Sequence, residues 1–210
     1  AEFISVGKQA GKASIGQEEI NALLVERVSA GERVCRLKGG DPFIFGRGGE
    51  EIEALEAAGL AWEVIPGVTA ASGCAASAGI PLTHRNTARA VTLVTASSAD
   101  DSPRDWSGIV GDTNTLVIYM AVSKLADISA ELIAAGKRPE QPAAIIENGT
   151  TERQRIIRGT LASIGADAAT AAVVSPAVLI VGDVADLGID ATATAIERDD
   201  DGWAPAAMQG

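Results

Sequence analysis

Residues 36–51 read Arg-Leu-Lys-Gly-Gly-Asp-Pro-Phe-Ile-Phe-Gly-Arg-Gly-Gly-Glu-Glu. The apolar residues Val34, Cys35 and Leu37 begin this stretch like a strand, and apolar residues recur at helical spacing over 52–58. Its repeated glycines let the backbone enter left-handed conformations and approach a ligand closely, and its two final glutamates favour the positive start of a helix. The stretch therefore predicts a ligand-binding loop between a strand and a helix. An ordinary connection that happens to be rich in glycine is the alternative.

Strand-like and helical patterns alternate through the rest of the chain, which is typical of an α/β protein with largely parallel sheets. The pattern predicts strands at 3–6, 34–37, 62–65, 91–94, 116–120, 143–146 and 178–181, and an extended return over 153–158. It predicts helices at 17–28, 52–58, 69–78 and 122–133, and a short one near Leu161. In such a protein, ligands bind at the carboxyl ends of the strands.

Composition bounds the class of protein. The 210 residues are 47% hydrophobic, which supplies a normal core, and no apolar run reaches the roughly 18 residues of a membrane span. No signal-peptide pattern opens the sequence, so we expect a cytoplasmic protein without a membrane anchor. Cys35 and Cys74 stand in apolar surroundings, which favours buried free thiols. His84 is the sole histidine, so a Ser-His-Asp triad or a two-histidine metal site is not expected.

Charge is unevenly distributed. The net charge is −11, of which −2 falls in residues 1–90 and −9 in residues 91–210. A strongly acidic chain with 3% aromatic residues argues against nucleic acid as a partner. A polyanionic small molecule would need local basic groups, and the first half offers Lys8, Lys12, Arg36, Lys38, Arg47, His84, Arg85 and Arg89.

The spelling of the loop resembles that of the uroporphyrinogen-III C-methyltransferases, in the tetrapyrrole methylase family. The resemblance extends over roughly residues 4–187 and rests on several motifs in the family's order, which makes it more specific than one glycine loop. The further motifs are Val6-Gly7-Lys8, 17–21, 66–73, 79–85, Tyr119-Met120 and Glu147-Asn148-Gly149-Thr150.

The resemblance implies the two-domain tetrapyrrole methylase fold, with an active-site cleft between two α/β domains. We expect an N-terminal domain over 1–80, a linker over 81–90, a C-terminal domain over 91–189 and a disordered tail over 190–210. The family's first strand with its Gly-x-Gly-Pro-Gly-Asp loop, and the Tyr-Asp-Arg segment that carries its assigned base, are missing here. The N-terminal domain is therefore expected to be incomplete. The family also suggests a homodimer.

The activity that the resemblance implies is methyl transfer from S-adenosylmethionine to uroporphyrinogen III, twice, to give precorrin-2. The matching cofactor residues are Gly39, Gly40, Asp41, Ile44, Thr69, Ala70, Met120 and Gly149. Each has a plainer alternative: Thr69 as a helix cap, Met120 as core, Gly149 as a turn residue and Asp41 as a turn starter. No metal is required, because the donor is already activated.

Lys8 matches the family's proton-donating lysine, with a counter-charge for the substrate or a solvated loop residue as alternatives. Arg47, His84 and Arg85 are the candidates for contacts with the carboxylates of the tetrapyrrole substrate. Val94-Thr95-Ala96-Ser97 departs from the family's usual Val-Thr-Gly-His. Two rival functions stay open at this point: another precorrin methyltransferase of the same fold, and a non-catalytic remnant that binds cofactor or tetrapyrrole.

Overall fold

A computed structural model describes residues 1–7, 15–97 and 105–187. Lys8 and the predicted tail at 190–210 therefore lie outside the described residues. Contacts divide the chain into two compact units, Ala1–Ala70 and Ala71–Gly210. The domain limits drawn from the sequence, with their linker at 81–90, stay a prediction.

Two helices organise the first unit, and both were predicted. Helix α1 spans Gln17–Ser29 and α2 spans Gly48–Ala57, directly after the glycine-rich loop. The carboxylate of Glu19 accepts the backbone N–H of Gly16 at 2.9 Å, so it satisfies one free donor at the start of α1. Each helix carries two glutamates in its first turn, which complements the helix dipole.

The strands predicted at 3–6, 34–37 and 62–65 are wrong, because none of these described residues is paired into a sheet. A strand exists only where a neighbouring backbone supplies hydrogen bonds about 4.8 Å away, and apolar sequence alone does not supply that neighbour. The segments 32–38 and 61–67 instead line a cavity of about 800 Å³. Apolar residues of α1 and α2, among them Leu24 and Leu55, close its other sides.

The second unit contains a five-stranded sheet in the order β1-β2-β5-β3-β4. The strands are β1 Ala90–Thr95, β2 Asn114–Tyr119, β3 Pro142–Glu147, β4 Arg155–Thr160 and β5 Ala177–Val181. All were predicted as strands or extended segments. The expectation of a largely parallel sheet is wrong, since only β1 and β2 pair in parallel. The sheet is mixed because β5 lies antiparallel between β2 and β3, and β4 returns antiparallel along β3.

The core of this unit forms between the sheet and its helices. Helix α3 spans Ala70–Ser77, α4 Leu125–Ala134 and α5 Ile164–Thr170, with short 3₁₀ helices at Val122–Lys124 and Asp183–Asp186. Strands β2, β3 and β5 are apolar at nearly every position and almost fully buried. Ile128 and Leu132 of α4 pack against them with no exposed surface. This burial is the main stabilising contribution to the unit.

Several single residues refine the sequence interpretation. Both cysteines are free, as predicted, but Cys35 is exposed and only Cys74 is buried. Burial raises the pKa of the Cys74 thiol, because it disfavours the thiolate. Trp106, in the segment before β2, is buried and donates its indole N–H to Glu131. Among the described residues, no helix has the length and apolar character needed to cross a membrane.

Candidate functional site

The glycine-rich loop folds back on itself in the first unit. Its backbone is left-handed at Gly40, Phe45 and Arg47, with φ values of 83°, 52° and 59°. The N–H of Gly48 donates to the carbonyl of Pro42 at 3.0 Å. A Cβ added at Gly48 would lie 2.6 Å from that same oxygen, so the fold leaves no room for a side chain there. Left-handed non-glycine residues are uncommon and cluster at functional sites, so Phe45 and Arg47 make this loop a candidate functional site.

The carboxylate of Asp41 ties this loop to the segment before α3. One oxygen accepts the N–H of Phe43 at 2.9 Å, and the other accepts the N–H of Gly67 at 3.0 Å. These backbone donors, Gly67 first, lower the pKa of the Asp41 carboxyl. The tie therefore holds at neutral pH and is lost only when the pH falls through that lowered value. Asp41 acts as a turn residue as well as a link between two loops.

Gly67 and Gly40 approach each other more closely than any side chain would permit. A Cβ on Gly67 would lie 2.3 Å from the carbonyl oxygen of Gly40, and one on Gly40 would lie 3.7 Å from that of Val68. The contact brings the Gly39–Asp41 turn beside the backbone of Thr69 and Ala70. Six of the predicted cofactor residues thus belong to one local cluster: Gly39, Gly40, Asp41, Ile44, Thr69 and Ala70.

Gly67 is the residue that sequence reasoning missed. Pro66-Gly67 follows the strand predicted at 62–65 and lies in the matched motif 66–73, but no role was assigned to Gly67 from the sequence. Its presence beside the Val-Thr-Ala motif was an available signal, because a glycine often marks a close approach of two backbones. The structure shows that this approach, rather than turn formation, requires glycine at position 67.

The two remaining cofactor candidates lie at one edge of the sheet in the second unit. Met120 follows the end of β2, and Gly149 follows the end of β3. Strands β2 and β3 point the same way, because each is antiparallel to β5 between them. Their carboxyl ends are consequently about 10 Å apart, which is two strand spacings. The structure brings Met120 and Gly149 together at the kind of edge where α/β proteins bind ligands.

Met120 and Gly149 have different surroundings. Met120 is left-handed, at φ 55°, and 51% exposed, so the alternative that it is a core residue is wrong. Gly149 stands between two further left-handed residues, Asn148 and Thr150. A Cβ at Gly149 would lie 2.4 Å from the sulfur of Cys74. Close packing against α3 therefore explains this glycine at least in part.

Helix α3 is attached to the same edge by polar contacts. The hydroxyl of Tyr119 accepts the N–H of Ala71 at 2.8 Å, which satisfies a free donor in the first turn of the helix. The side chain of Gln154 accepts hydrogen bonds from the Ser77 hydroxyl at 2.6 Å and from the Thr150 N–H at 2.8 Å. The short side chains of α3 allow the close packing of the helix against Gly149. Sequence reasoning assigned no role to Tyr119 or Gln154.

The basic residues that are candidates for substrate contacts differ in the side-chain contacts that they already make within the protein. Arg47 forms an exposed ion pair with Glu50, which raises the pKa of its guanidinium through a side-chain hydrogen bond. His84 lies in an exposed turn, where its Nδ1 contacts the Thr87 hydroxyl at 3.1 Å. Arg85 is exposed and makes no ion pair with any residue that the structure describes. Arg36 and Lys38 are both bound to Glu51.

Among the described residues, no group of three or more His, Cys, Asp or Glu side chains is arranged to hold a metal ion. The chemistry of the cluster around Gly40 is that of exposed backbone groups, a half-buried isoleucine and a threonine. Such a set can hold a small polar organic molecule by its backbone.

Comparison with known proteins gives the following matches. The family described as Tetrapyrrole (Corrin/Porphyrin) Methylases matches residues 2–165. Siroheme synthase of Edwardsiella ictaluri is 53% identical over 187 residues, which are 89% of this chain and 40% of that protein. Siroheme synthase of Acinetobacter baylyi is 50% identical over 89% of this chain and 41% of that protein. The chain thus spans about two fifths of the length of these curated relatives.

Solved structures agree with the sequence matches. Uroporphyrin-III C-methyltransferase from Thermus thermophilus, complexed with S-adenosylhomocysteine, is 36% identical with a TM-score of 0.71. The match covers 81% of this chain and 75% of that one. A cobalt precorrin-4 methyltransferase matches at 24% identity with a TM-score of 0.74, covering 84% and 74% of the two chains. At that identity the likeness concerns the fold alone.

The close approach at Gly67 predicts a clear difference between two glycine variants. Gly67→Ala forces the Gly40 and Gly67 backbones apart, which we expect to lower the free energy of unfolding by about 1–3 kcal/mol. Amide exchange at Phe43 and Gly67 should become faster, since both donate to Asp41. Gly49→Ala is the matched control, because a Cβ there meets nothing within 4 Å. Denaturant unfolding and hydrogen exchange measure both, and equal stabilities would contradict the steric interpretation.

Proposed function

Because this chain belongs to the tetrapyrrole (corrin/porphyrin) methylase family, we propose that it methylates uroporphyrinogen III with S-adenosylmethionine as donor. The product after two transfers is precorrin-2, on the route to sirohaem or cobalamin. The observation that carries the proposal is the cluster formed by Gly39–Ile44 with Gly67–Ala70. It has the backbone geometry of a ligand loop, in a chain 36% identical to a methyltransferase solved with S-adenosylhomocysteine.

The residues of the cluster fit the proposed donor. Gly39 and Gly40 present exposed backbone groups, and Ile44, Thr69 and Ala70 are half-buried beside them or in the same loop. A Cβ at Gly39 meets nothing within 4 Å in the protein, so the space above this backbone is open to a ligand. Asp41 contributes through its backbone, because both of its carboxylate oxygens already accept N–H groups. Met120 and Gly149 are proposed as further contacts on the resemblance of their motifs.

The chemistry needs alignment more than covalent help. The donor would supply an activated methyl group: a C–C bond forms to the pyrrole carbon, the C–S bond breaks with its electron pair staying on sulfur, and the methylated pyrrole releases one proton to solvent. The loop residues hold the donor in place, which is where most of the acceleration of such a transfer can arise. Lys8 is proposed as a proton donor on the resemblance. Arg47, His84 and Arg85 are proposed as contacts to substrate carboxylates because of their positive charge. We further propose a homodimer, as the resemblance suggests, and a cytoplasmic location.

The decisive experiment is incubation of the chain with S-adenosylmethionine and uroporphyrinogen III under reducing conditions. We expect product masses that correspond to one and two added methyl groups. A different methylated precorrin as preferred substrate would favour the rival methyltransferase. Binding of S-adenosylhomocysteine without any mass change would favour the non-catalytic alternative.

A methyl group at Gly39 should interfere with the donor and not with the fold. We expect Gly39→Ala to weaken S-adenosylhomocysteine binding by roughly tenfold or more, since overlap with a bound ligand costs about 1–3 kcal/mol. The melting temperature should stay unchanged, because the added Cβ has open space. Calorimetry measures the affinity, with Gly49→Ala as the control for an equally unhindered glycine. Unchanged affinity in Gly39→Ala would remove this turn from the cofactor site.

The guanidinium of Arg85, which makes no ion pair within the described part of the chain, should matter more to substrate binding than that of Arg47, which pairs with Glu50. A desolvated charge-assisted contact is worth about 1.5–3 kcal/mol, so Arg85→Ala should raise the KM for uroporphyrinogen III roughly tenfold to hundredfold. The KM for the donor should hardly change. Arg33→Ala, an exposed arginine outside the matched motifs, is the control. A parallel rise in both KM values would instead indicate a structural role for Arg85.

A further inference from the structure

Glu51 is a charged residue that is almost completely buried. It is 5% exposed and lies in the first turn of α2. The ammonium of Lys38 donates to each of its carboxylate oxygens at 2.8 Å, and the Nε of Arg36 donates to one of them at 3.1 Å. The side-chain amide of Gln17 donates a fourth hydrogen bond at 3.2 Å. A buried carboxylate is stable only when it is paired and hydrogen-bonded in this way.

The position of this pair along the chain gives it a mechanical consequence. Lys38 immediately precedes Gly39, and Glu51 is the fourth residue of α2, which begins directly after the loop. The Lys38–Glu51 contact therefore joins the two ends of the loop that carries Gly39–Ile44. Arg36 strengthens the attachment on the incoming side, and Gln17 connects it to the start of α1.

Burial separates this pair from the other ion pair of the loop. The Lys38 and Glu51 side chains are 11% and 7% exposed, whereas those of Arg47 and Glu50 are 56% and 47% exposed. Exposed pairs contribute little, but breaking a buried pair leaves an uncompensated charge and is strongly unfavourable. The Lys38–Glu51 pair is thus the electrostatic contact that constrains the loop ends.

We infer that Glu51 is a positioning residue for S-adenosylmethionine binding, which acts through Lys38 by holding the Gly39–Asp41 turn in its ligand-ready geometry. Holding a loop in its bound conformation raises affinity, because less ordering remains to be done on binding. We assign Glu51 no part in proton transfer, because its carboxylate is buried and ion-paired with both Lys38 and Arg36. The inference also removes Lys38 and Arg36 from the groups that meet substrate carboxylates. It rests on the proposed function.

The first test compares Glu51→Gln with Glu53→Gln, an exposed glutamate on the same helix. We expect Glu51→Gln to raise the Kd for S-adenosylhomocysteine about tenfold or more, and Glu53→Gln to leave it within about twofold. Calorimetry is performed well below the melting temperature of each variant, where the variant is folded. A purely structural role of Glu51 would then lower the melting temperature without changing Kd. Equal Kd values in the two folded variants would overturn the inference.

A second pair of variants keeps the test decisive if Glu51→Gln fails to fold. Lys38→Met removes the charge that faces Glu51 while Arg36 and Gln17 remain, and Lys38→Arg preserves it. Weakened binding in Lys38→Met that is recovered in Lys38→Arg supports the inference. Equal Kd values for the two Lys38 variants would overturn it, because the charge would then have no effect on the loop.

Hydrogen exchange gives a readout that does not depend on the cofactor. In Lys38→Met, the amides of Phe43 and Gly48 should exchange faster, since both donate within the loop. Amides of β3, in the other unit, should be unaffected. If the unaltered chain does not bind S-adenosylhomocysteine, the proposed function is refuted. The hydrogen-exchange rates then test only whether the Lys38–Glu51 pair constrains the loop. Unchanged exchange in the loop would overturn the inference whatever the affinities.

Discussion

The contact between the backbones of Gly40 and Gly67 is the constraint on which the first unit's site depends. A side chain on Gly67 would come within 2.3 Å of the Gly40 carbonyl oxygen, a separation that no packing adjustment of a few tenths of an ångström accommodates. Asp41 converts this proximity into a fixed geometry, because its carboxylate bonds to both loops. The lack of space for a side chain requires glycine at position 67, and the hydrogen bonds of Asp41 then fix how the two backbones are oriented. Together they place the Gly39–Asp41 turn beside Thr69 and Ala70.

In the second unit, the direction of the strands plays the corresponding part. Inserting β5 antiparallel between β2 and β3 leaves the carboxyl ends of those two strands at one edge, with Met120 and Gly149 on the connections that follow. The apolar side chains at the centre of the sheet pack on α4 and α5 and are almost fully buried. Helix α3 contacts these strand ends in two ways. The N–H of Ala71 donates to the Tyr119 hydroxyl, and Cys74 packs against Gly149. Its small residues follow from this packing.

Charge serves two separate purposes around the glycine-rich loop. The pairing of Glu51 with Lys38 and Arg36 is shielded from water and constrains the loop, whereas the Arg47–Glu50 pair is exposed and readily exchanged for other partners. Arg36 and Lys38 are therefore bound to Glu51 rather than presented to an anion. Arg85, which is exposed and without an ion pair among the described residues, is the better candidate to meet a carboxylate.

The sequence by itself determined what depends on neighbours along the chain: helices α1, α2 and α4, the apolar strands β2, β3 and β5, and the glycine-rich loop with its motifs. Hydrophobic period and turn chemistry are local, so these could be predicted. Tertiary structure alone decided whether residues 3–6, 34–37 and 62–65 pair into a sheet, because pairing requires a neighbouring strand. It also decided the direction in which β5 runs. It also decided the roles of Gly67, Asp41 and Glu51. Asp41 meets Gly67 26 residues away and Glu51 meets Lys38 13 residues away, contacts that no local pattern encodes.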